Sequence, residues 1–165
     1  MKFNKTVAGV ILFVILLLAA GYSAKSNADD HRMFNIGLGS TLINSTLRVG
    51  EVGFVYNNWE VQALIMKQGD TKNGVQEDNL EIYSVSYVTE PLWGYKGVEP
   101  YFRLGVSANS GSNLVGPTNF RLGLGVDFNK VWRLEWSHHS SASIHEVNTG
   151  IDYVTVSYQF DPFWN

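Results

Sequence analysis

Residues 119–128 read Asn-Phe-Arg-Leu-Gly-Leu-Gly-Val-Asp-Phe, and this stretch alternates strictly between two kinds of side chain. Its odd positions hold Asn, Arg, Gly, Gly and Asp, while its even positions are all apolar: Phe120, Leu122, Leu124, Val126 and Phe128. Successive side chains of a strand point to opposite faces, so a period of two is typical of a strand with one apolar face. The stretch therefore predicts a β-strand that separates an apolar environment from a polar one.

The same alternation recurs in both directions along the chain. Further candidate strands are 98–107 and 131–137, where the pattern is clearest, and 32–41, 47–56, 59–68, 80–88 and 152–160. The total is eight. Eight strands of about 9 to 11 residues with one polar face match the smallest transmembrane barrels, whose interiors are polar and whose exteriors contact lipid. We therefore predict an all-β fold, an eight-stranded antiparallel transmembrane β-barrel.

A soluble sandwich is the alternative to the barrel, and the connections favour the barrel. Residues 57–58 and 129–130 predict tight turns, whereas 69–79, 108–119 and 140–151 are long and polar. Barrels of this kind place short turns in the periplasm and long loops outside. Aromatic residues that can form a girdle at the lipid headgroups lie beside the proposed turns or at the C-terminus: Trp59, Trp93, Phe128, Trp132 and Trp164.

The N-terminus predicts export. Lys2 and Lys5 precede an uncharged apolar run at 7–20, which is shorter than the roughly 20 residues of a membrane-spanning helix and is followed by small residues. We predict a signal peptide over residues 1–24, with cleavage between 21 and 28, and a barrel domain over residues 29–165. The expected location is the outer membrane of a Gram-negative cell, reached through the periplasm.

Composition excludes several classes of function. The chain has 12 basic and 15 acidic residues and no cysteine, so removal of Lys2 and Lys5 leaves it clearly acidic. Nucleic acid is therefore not an expected partner. The lack of cysteine excludes a lipoprotein anchor, a disulfide framework and a thiol nucleophile. A barrel of eight strands is filled by its own side chains, so a pore is not expected either.

Polar residues at the end of two neighbouring strands do not fit a purely structural wall. His138 and Ser140 continue the lipid-facing parity of the seventh strand, and Asp152 has the same parity at the start of the eighth. Polar groups on that face are costly near the middle of the membrane and become cheap towards the interface. The three residue types supply a nucleophile, a general base and an acid that orients the base. Solvated strand ends would explain each residue singly, and their coincidence on one face favours the catalytic interpretation.

At these residues the sequence resembles the PagL family of lipid A 3-O-deacylases, which are outer-membrane esterases with an eight-stranded barrel. The family pattern is His-x-Ser, then Asn, then Gly-Ile-Glu, and here it reads His138-His139-Ser140, then Asn148, then Gly150-Ile151-Asp152. The resemblance implies that Ser140 is the nucleophile, His138 the base and Asp152 the acid, with Asn148 in the oxyanion hole. It further implies removal of the hydroxyacyl chain that is ester-linked at position 3 of lipid A.

Three departures from the family pattern bear on the rate. Asp152 is one methylene shorter than the family's Glu, and the residues after the nucleophile are Ser141, Ala142 and Ser143 in place of an Asn and a glycine-containing segment. Loss of one oxyanion donor typically lowers the rate by about 10² to 10³. The alternatives to a deacylase are a structural or adhesive barrel and another outer-leaflet acyl hydrolase or transferase.

The expected partners follow from this function. They are lipopolysaccharide, which is bound through its lipid A part in the outer leaflet, and the surrounding membrane lipids. Whether the protein also forms a homodimer is left open by the sequence. We expect no cofactor and no metal, because His139 has the opposite strand parity to His138 and so cannot join it and His145 in one site. Arg133 and Glu135 are expected in the polar lumen.

Overall fold

The structure is a computed structural model that describes residues 32–43, 45–71, 74, 76–141 and 149–161. The predicted signal peptide and Trp164 lie outside these residues. The described residues form ten strands: β1 (Arg32–Thr41), β2 (Arg48–Tyr56), β3 (Trp59–Met66), β4 (Gly69–Asp70), β5 (Gln76–Glu77), β6 (Leu80–Val88), β7 (Val98–Asn109), β8 (Thr118–Phe128), β9 (Trp132–Ser140) and β10 (Ile151–Phe160).

Eight of these strands close into a barrel in the order β1-β10-β9-β8-β7-β6-β3-β2, and every neighbouring pair is antiparallel. The predicted eight-stranded barrel is therefore confirmed. The two remaining strands, β4 and β5, form a small hairpin inside the segment that was expected to be a loop. In the described part of the chain, no helix is long and apolar enough to cross a membrane.

The two ends of the barrel differ as the sequence predicts. Tight turns join strands at one end, which we call the turn end, and Asn57, Asn129 and Lys130 adopt positive φ angles there. Asparagine tolerates this left-handed conformation better than most residues, which explains its use in these turns. The long connections lie at the opposite end, which we call the loop end.

The strand registers wind steadily around the barrel. One line of paired residues leaves β1 at Arg32 and returns to it at Leu42, passing through Tyr56, Trp59, Tyr87, Leu104, Leu122, His138 and Asp152. The line thus climbs ten residues along β1, which is the stagger that a closed, tilted sheet requires. Each directly paired residue therefore lies roughly 1.25 residues nearer to the loop end than its partner on the preceding strand, when height is measured along the barrel axis.

Charged side chains fill the middle of the lumen. Glu135 binds Arg103 and Arg121 at 2.9 and 2.7 Å, and Glu60 binds Arg103 and Arg133 at 2.8 and 3.0 Å. All five side chains are buried. Charges removed from water must be paired, and each of these has at least one partner of opposite sign. The predicted lumenal positions of Arg133 and Glu135 are confirmed.

Apolar side chains close the lumen at the loop end. They form one buried cluster, which we call the cap: Leu47, Val49, Leu64, Met66, Leu80, Ile82, Leu114, Val115, Ile151 and Tyr153. The cap explains why β6 is apolar on both faces, because Leu80 and Ile82 point into it while Val85 and Tyr87 point outwards. Leu114 and Val115 come from the β7–β8 loop, so that loop folds inwards over the barrel.

Aromatic side chains surround the outside of the barrel at the turn end. Trp59 stacks edge-on against Tyr87, and Trp132 does so against Tyr158. Both tryptophans are more than half exposed, as is Trp93 in the connection between β6 and β7. This arrangement is the girdle that the sequence predicts for one membrane interface.

Candidate active site

His138 and Ser140 lie on the outward face of β9, near its end, and Asp152 lies on the neighbouring strand β10. The register pairs Asp152 directly with His138, and Ile151 with His139. The inward residues of β9, Ser137 and His139, are fully buried, whereas His138 and Ser140 are partly exposed. The structure therefore brings the three predicted residues together on the outer wall.

A hydrogen bond joins the acid to the imidazole. Nδ1 of His138 lies 3.0 Å from Oδ1 of Asp152, and the exposed fractions of the two side chains are 34% and 9%. The carboxylate is thus shielded behind the ring, while the ring opens to the outside. An acid that binds Nδ1 fixes the tautomer and leaves Nε2 as the nitrogen that can accept a proton.

The direct pairing also explains how the shorter Asp side chain reaches the ring. Residues directly opposite on antiparallel strands have Cβ atoms about 4.5–5.5 Å apart. Asp152 occupies such a position relative to His138. The distance of 3.0 Å between Nδ1 and Oδ1 is that of an ordinary hydrogen bond, so the missing methylene leaves no gap.

Two neighbours lie beside the imidazole, one over its face and one at its edge. The indole of Trp136, two residues earlier on the same face, stacks on it with ring centroids 6.3 Å apart and planes inclined by 23°. Gly150 lies against its edge, and a Cβ atom added there would be 2.6 Å from Cε1 of His138. Gly150 also has a φ of +74°. The role of Gly150 in holding the ring is a finding that strand parity could not give.

Ser140 and His138 line one pocket on the outer wall. The pocket has a volume of about 330 Å³, and its other walls are mainly Leu104, Phe120 and Leu122 from β7 and β8. Phe120 pairs with Ser140 and Leu122 with His138, so the apolar wall lies beside the polar pair on the neighbouring strand. A pocket with one polar edge and apolar walls suits an ester that carries a hydrocarbon chain.

The loops brace the segment that leads into Asp152. The backbone amide and the hydroxyl of Thr149 both donate to the carbonyl of Leu114, at 2.9 and 3.0 Å. The β7–β8 loop, which contains Leu114, is in turn bound to the small hairpin: the amide of Asn113 donates to the carboxylate of Glu77 in β5, at 3.0 Å. The cap therefore connects through Thr149 to Gly150 and the imidazole.

His139 belongs to the lumen, as its parity predicts. Its Nδ1 lies 2.8 Å from the hydroxyl of Ser107 and its Nε2 lies 3.1 Å from the hydroxyl of Tyr153. Within the described ranges, no three His, Cys, Asp or Glu side chains gather as a metal site. His145 lies outside those ranges.

The oxyanion part of the site is described only in part. Asn148, together with Ala142 and Ser143, lies outside the described residues, so the role predicted for Asn148 stays a prediction. Ser141, which follows the expected nucleophile, is buried.

The comparison with protein families decides where this chain belongs. The model of the family described as lipid A 3-O-deacylase (PagL) matches residues 51–161, which include β2 to β10 almost entirely. The chain belongs to this family. It is therefore a lipid A 3-O-deacylase, an ester hydrolase of the outer membrane whose substrate is the lipid A part of lipopolysaccharide.

The solved structure of one outer-membrane enzyme agrees with this assignment at the level of the fold. The chain is similar to the crystal structure of the outer membrane enzyme PagL, with 18% identity, a TM-score of 0.51 and coverage of 78% of this chain and 98% of that chain. The outer membrane protein Ail of Yersinia pestis, in a phospholipid bilayer nanodisc, is 18% identical with a TM-score of 0.43, covering 80% of this chain and 100% of that one. No curated protein sequence matches the chain.

Proposed function

We propose that this deacylase is a serine esterase in which Ser140 is the nucleophile, His138 the general base and Asp152 the acid that orients the base. The observation that carries the proposal is the hydrogen bond of 3.0 Å between His138 and Asp152, on the outer wall, beside a pocket that Ser140 also lines. Carboxylate, imidazole and hydroxyl follow one another on one face of two strands. This order is the one that acyl transfer by a serine requires.

Each residue then has a defined step. Nε2 of His138 accepts the proton of Ser140 as Oγ attacks the ester carbonyl, and the same proton passes to the sugar hydroxyl that leaves. Water, deprotonated by the same imidazole, then releases the hydroxy fatty acid and restores the Ser140 hydroxyl. Asp152 accepts the hydrogen bond from Nδ1 throughout and stabilises the imidazolium that forms in each half-reaction.

The surroundings of the site favour approach of the substrate from the side. His138 and Ser140 point away from the lumen, whose loop end is closed by the cap. In our proposal the acyl chain lies against Leu104, Phe120 and Leu122, where it exchanges one apolar surrounding for another. The ester then reaches Ser140 without leaving the outer leaflet.

One chain is sufficient for this mechanism. All three proposed residues lie on β9 and β10 of the same barrel. The homodimer that the sequence leaves open stays a prediction, and light scattering in detergent tests it. Asn148 keeps its predicted role as a donor to the developing oxyanion.

Mass spectrometry of lipid A after incubation with the purified barrel tests the proposal. Ser140→Ala and His138→Ala should each abolish release of the hydroxyacyl chain, and by similar factors, because members of a triad act as a unit. The matched control is Ser40→Ala, since Ser40 is an exposed serine of β1 that bonds only to the carbonyls of Thr41 and Leu47 among the described residues. Full activity of Ser140→Ala would refute the assignment of the nucleophile.

A fluorophosphonate probe gives a second measurement. Such probes react with serines that a neighbouring base activates, so the wild type and Ser40→Ala should be labelled at Ser140. His138→Ala should lose the label although it keeps the serine. Labelling that does not depend on His138 would contradict its role as the base.

A further inference from the structure

Two basic side chains stand next to each other on the outward face of the barrel, at its loop end. Arg48 opens β2, and Lys67 follows the last residue of β3. The backbone amide of Lys67 donates to the carbonyl of Arg48 at 2.9 Å, so the two residues are directly opposite. Both side chains are exposed, and both share the outward parity of Gly50 and Ile65.

This pair is unfavourable as it stands. Like charges directly opposite one another destabilise an antiparallel pair, and cations on a lipid-facing surface are costly unless they reach the headgroups. Among the described residues, neither side chain has a carboxylate partner. The outward carboxylate on the neighbouring strand, Glu81, accepts a hydrogen bond from the hydroxyl of Tyr83 at 3.2 Å. An anion bound between the two cations would remove the repulsion.

The other described cations have different surroundings. Arg103, Arg121 and Arg133 are buried in the lumen and paired with carboxylates. Lys96 and Lys130 lie at the turn end. In the part of the chain whose side chains are described, Arg48 and Lys67 are thus the basic pair exposed at the loop end.

The registers place Arg48 at the height of the proposed catalytic acid. Asp152 on β10 lies opposite Leu42 on β1. If the pairing of β1 with β2 is extended to Leu42, its partner lies two residues from Arg48 towards the loop end. From β10 through β1 to β2, directly paired residues rise towards the loop end by roughly 1.25 residues per strand. Over two strands this rise is about equal to the offset of two residues, so Arg48 lies at the height of Asp152. Two strand spacings separate β10 from β2, which is about 10 Å around the wall. Arg48 therefore faces the same layer of the membrane as Asp152.

We propose that Arg48 and Lys67 bind the phosphate of a lipid headgroup in the outer leaflet and hold the phosphorylated end of the substrate while its ester lies at Ser140. The guanidinium group donates two parallel hydrogen bonds to phosphate oxygens, and the ammonium group adds a second positive charge. Lipid A carries phosphate on its sugars and suits this site. The link to Ser140 rests on the proposed function, whereas the binding of phosphate does not.

The kinetic test uses the double variant Arg48→Gln with Lys67→Gln. With phosphorylated lipid A, its KM should rise about 10- to 100-fold, as expected when charge-assisted hydrogen bonds to one ligand are lost. The value of kcat should stay unchanged. With lipid A from which the phosphates have been removed, the variant and the wild type should have the same KM. The proposal would be overturned if KM rose equally on both substrates, or if it rose on neither.

Two control variants test the charge itself. Exchange of the two residues, Arg48→Lys with Lys67→Arg, keeps both charges and should keep most of the affinity. Lys96→Gln with Lys130→Gln removes two charges at the turn end and should leave KM unchanged. If the turn-end variant has the same effect as the loop-end variant, net charge and not a site is responsible.

A binding measurement separates this inference from the proposed function. In the Ser140→Ala background, binding of phosphorylated lipid A in detergent should weaken when Arg48 and Lys67 are neutralised, even if the wild type shows no esterase activity. Phosphatidylglycerol and inorganic phosphate serve as competitors. Phosphatidylglycerol that competes as well as lipid A would overturn the link to the substrate, and inorganic phosphate that competes as well would overturn a lipid headgroup as the ligand.

Discussion

Gly150 and His138 lie in contact at the point where β10 begins: a Cβ atom on Gly150 would be 2.6 Å from Cε1 of the imidazole and 3.4 Å from Nε2. The glycine has a φ of +74°, a conformation that other residues rarely adopt. A side chain there would therefore strain the backbone and displace the ring.

Gly150→Ala should accordingly lower kcat/KM while leaving the barrel folded. A misplacement of about 1 Å in a catalytic group can cost on the order of 10²-fold in rate. Deacylation kinetics measure the loss, and the shift in migration of the unheated protein on a gel checks folding. Gly50→Ala is the matched control, because nothing lies within 4 Å of a Cβ atom at that outward glycine. Full activity of Gly150→Ala would show that the ring has room to move.

Asp152 offers a test of the length of the acid. Asp152→Asn should lower kcat by about 10⁴, as replacement of the orienting carboxylate does in other triads, because the amide stabilises the wrong tautomer. Asp152→Glu should give no gain, because Oδ1 of Asp152 already lies 3.0 Å from Nδ1. Steady-state kinetics on lipid A measure both. A marked gain for the Glu variant would mean that the Asp side chain is a handicap after all.

The lumenal carboxylate Glu135 should control stability more than chemistry. It binds Arg103 and Arg121, and it accepts a hydrogen bond from Tyr101. Glu135→Gln leaves two buried cations with less compensation, which typically costs about 3–5 kcal/mol. Urea unfolding in lipid vesicles measures the change. The control is Glu90→Gln, an exposed carboxylate at the turn end, for which the expected loss is within about 1 kcal/mol.

Leu114 links the cap to the active site. Its side chain is buried in the cap, and its carbonyl accepts both hydrogen bonds from Thr149. Leu114→Ala should open a cavity that costs about 2–5 kcal/mol locally. We expect a several-fold fall in kcat, because Thr149 precedes the glycine that supports the imidazole. Leu92→Ala, at an exposed leucine of the turn end, should have no such effect.

Strand parity predicts most of the wall of this barrel from the sequence. Strand β1 has the predicted bounds, because side-chain periodicity is decided locally by which face meets lipid. Strand β6 has them too, although the cap makes its inward face apolar as well as its outward face. The same reasoning places His138, Ser140 and Asp152 on one face. It could not give the exact opposition of His138 and Asp152, because any even shift of register preserves the face.

The loop end shows where such reasoning stops. The hairpin of β4 and β5 has two residues in each strand and depends on contacts with other loops, so it has no period to detect. Leu114 and Val115 lie in a polar stretch, and only the folded loop carries them into the cap. Likewise, Gly150 reads as an ordinary turn residue until the imidazole is seen beside it.

The pairing of β1 with β10, which closes the barrel, links the proposed active site to folding. The carbonyl of Asp152 accepts a hydrogen bond from the amide of Leu42. The proposed acid therefore lies on the seam between β1 and β10, where the first and last strands of the barrel meet. Until that seam forms, the residue that orients His138 lacks one of its two neighbouring strands. We therefore expect the proposed site to be complete only once the barrel has closed, so that esterase activity should appear together with folding and not before it.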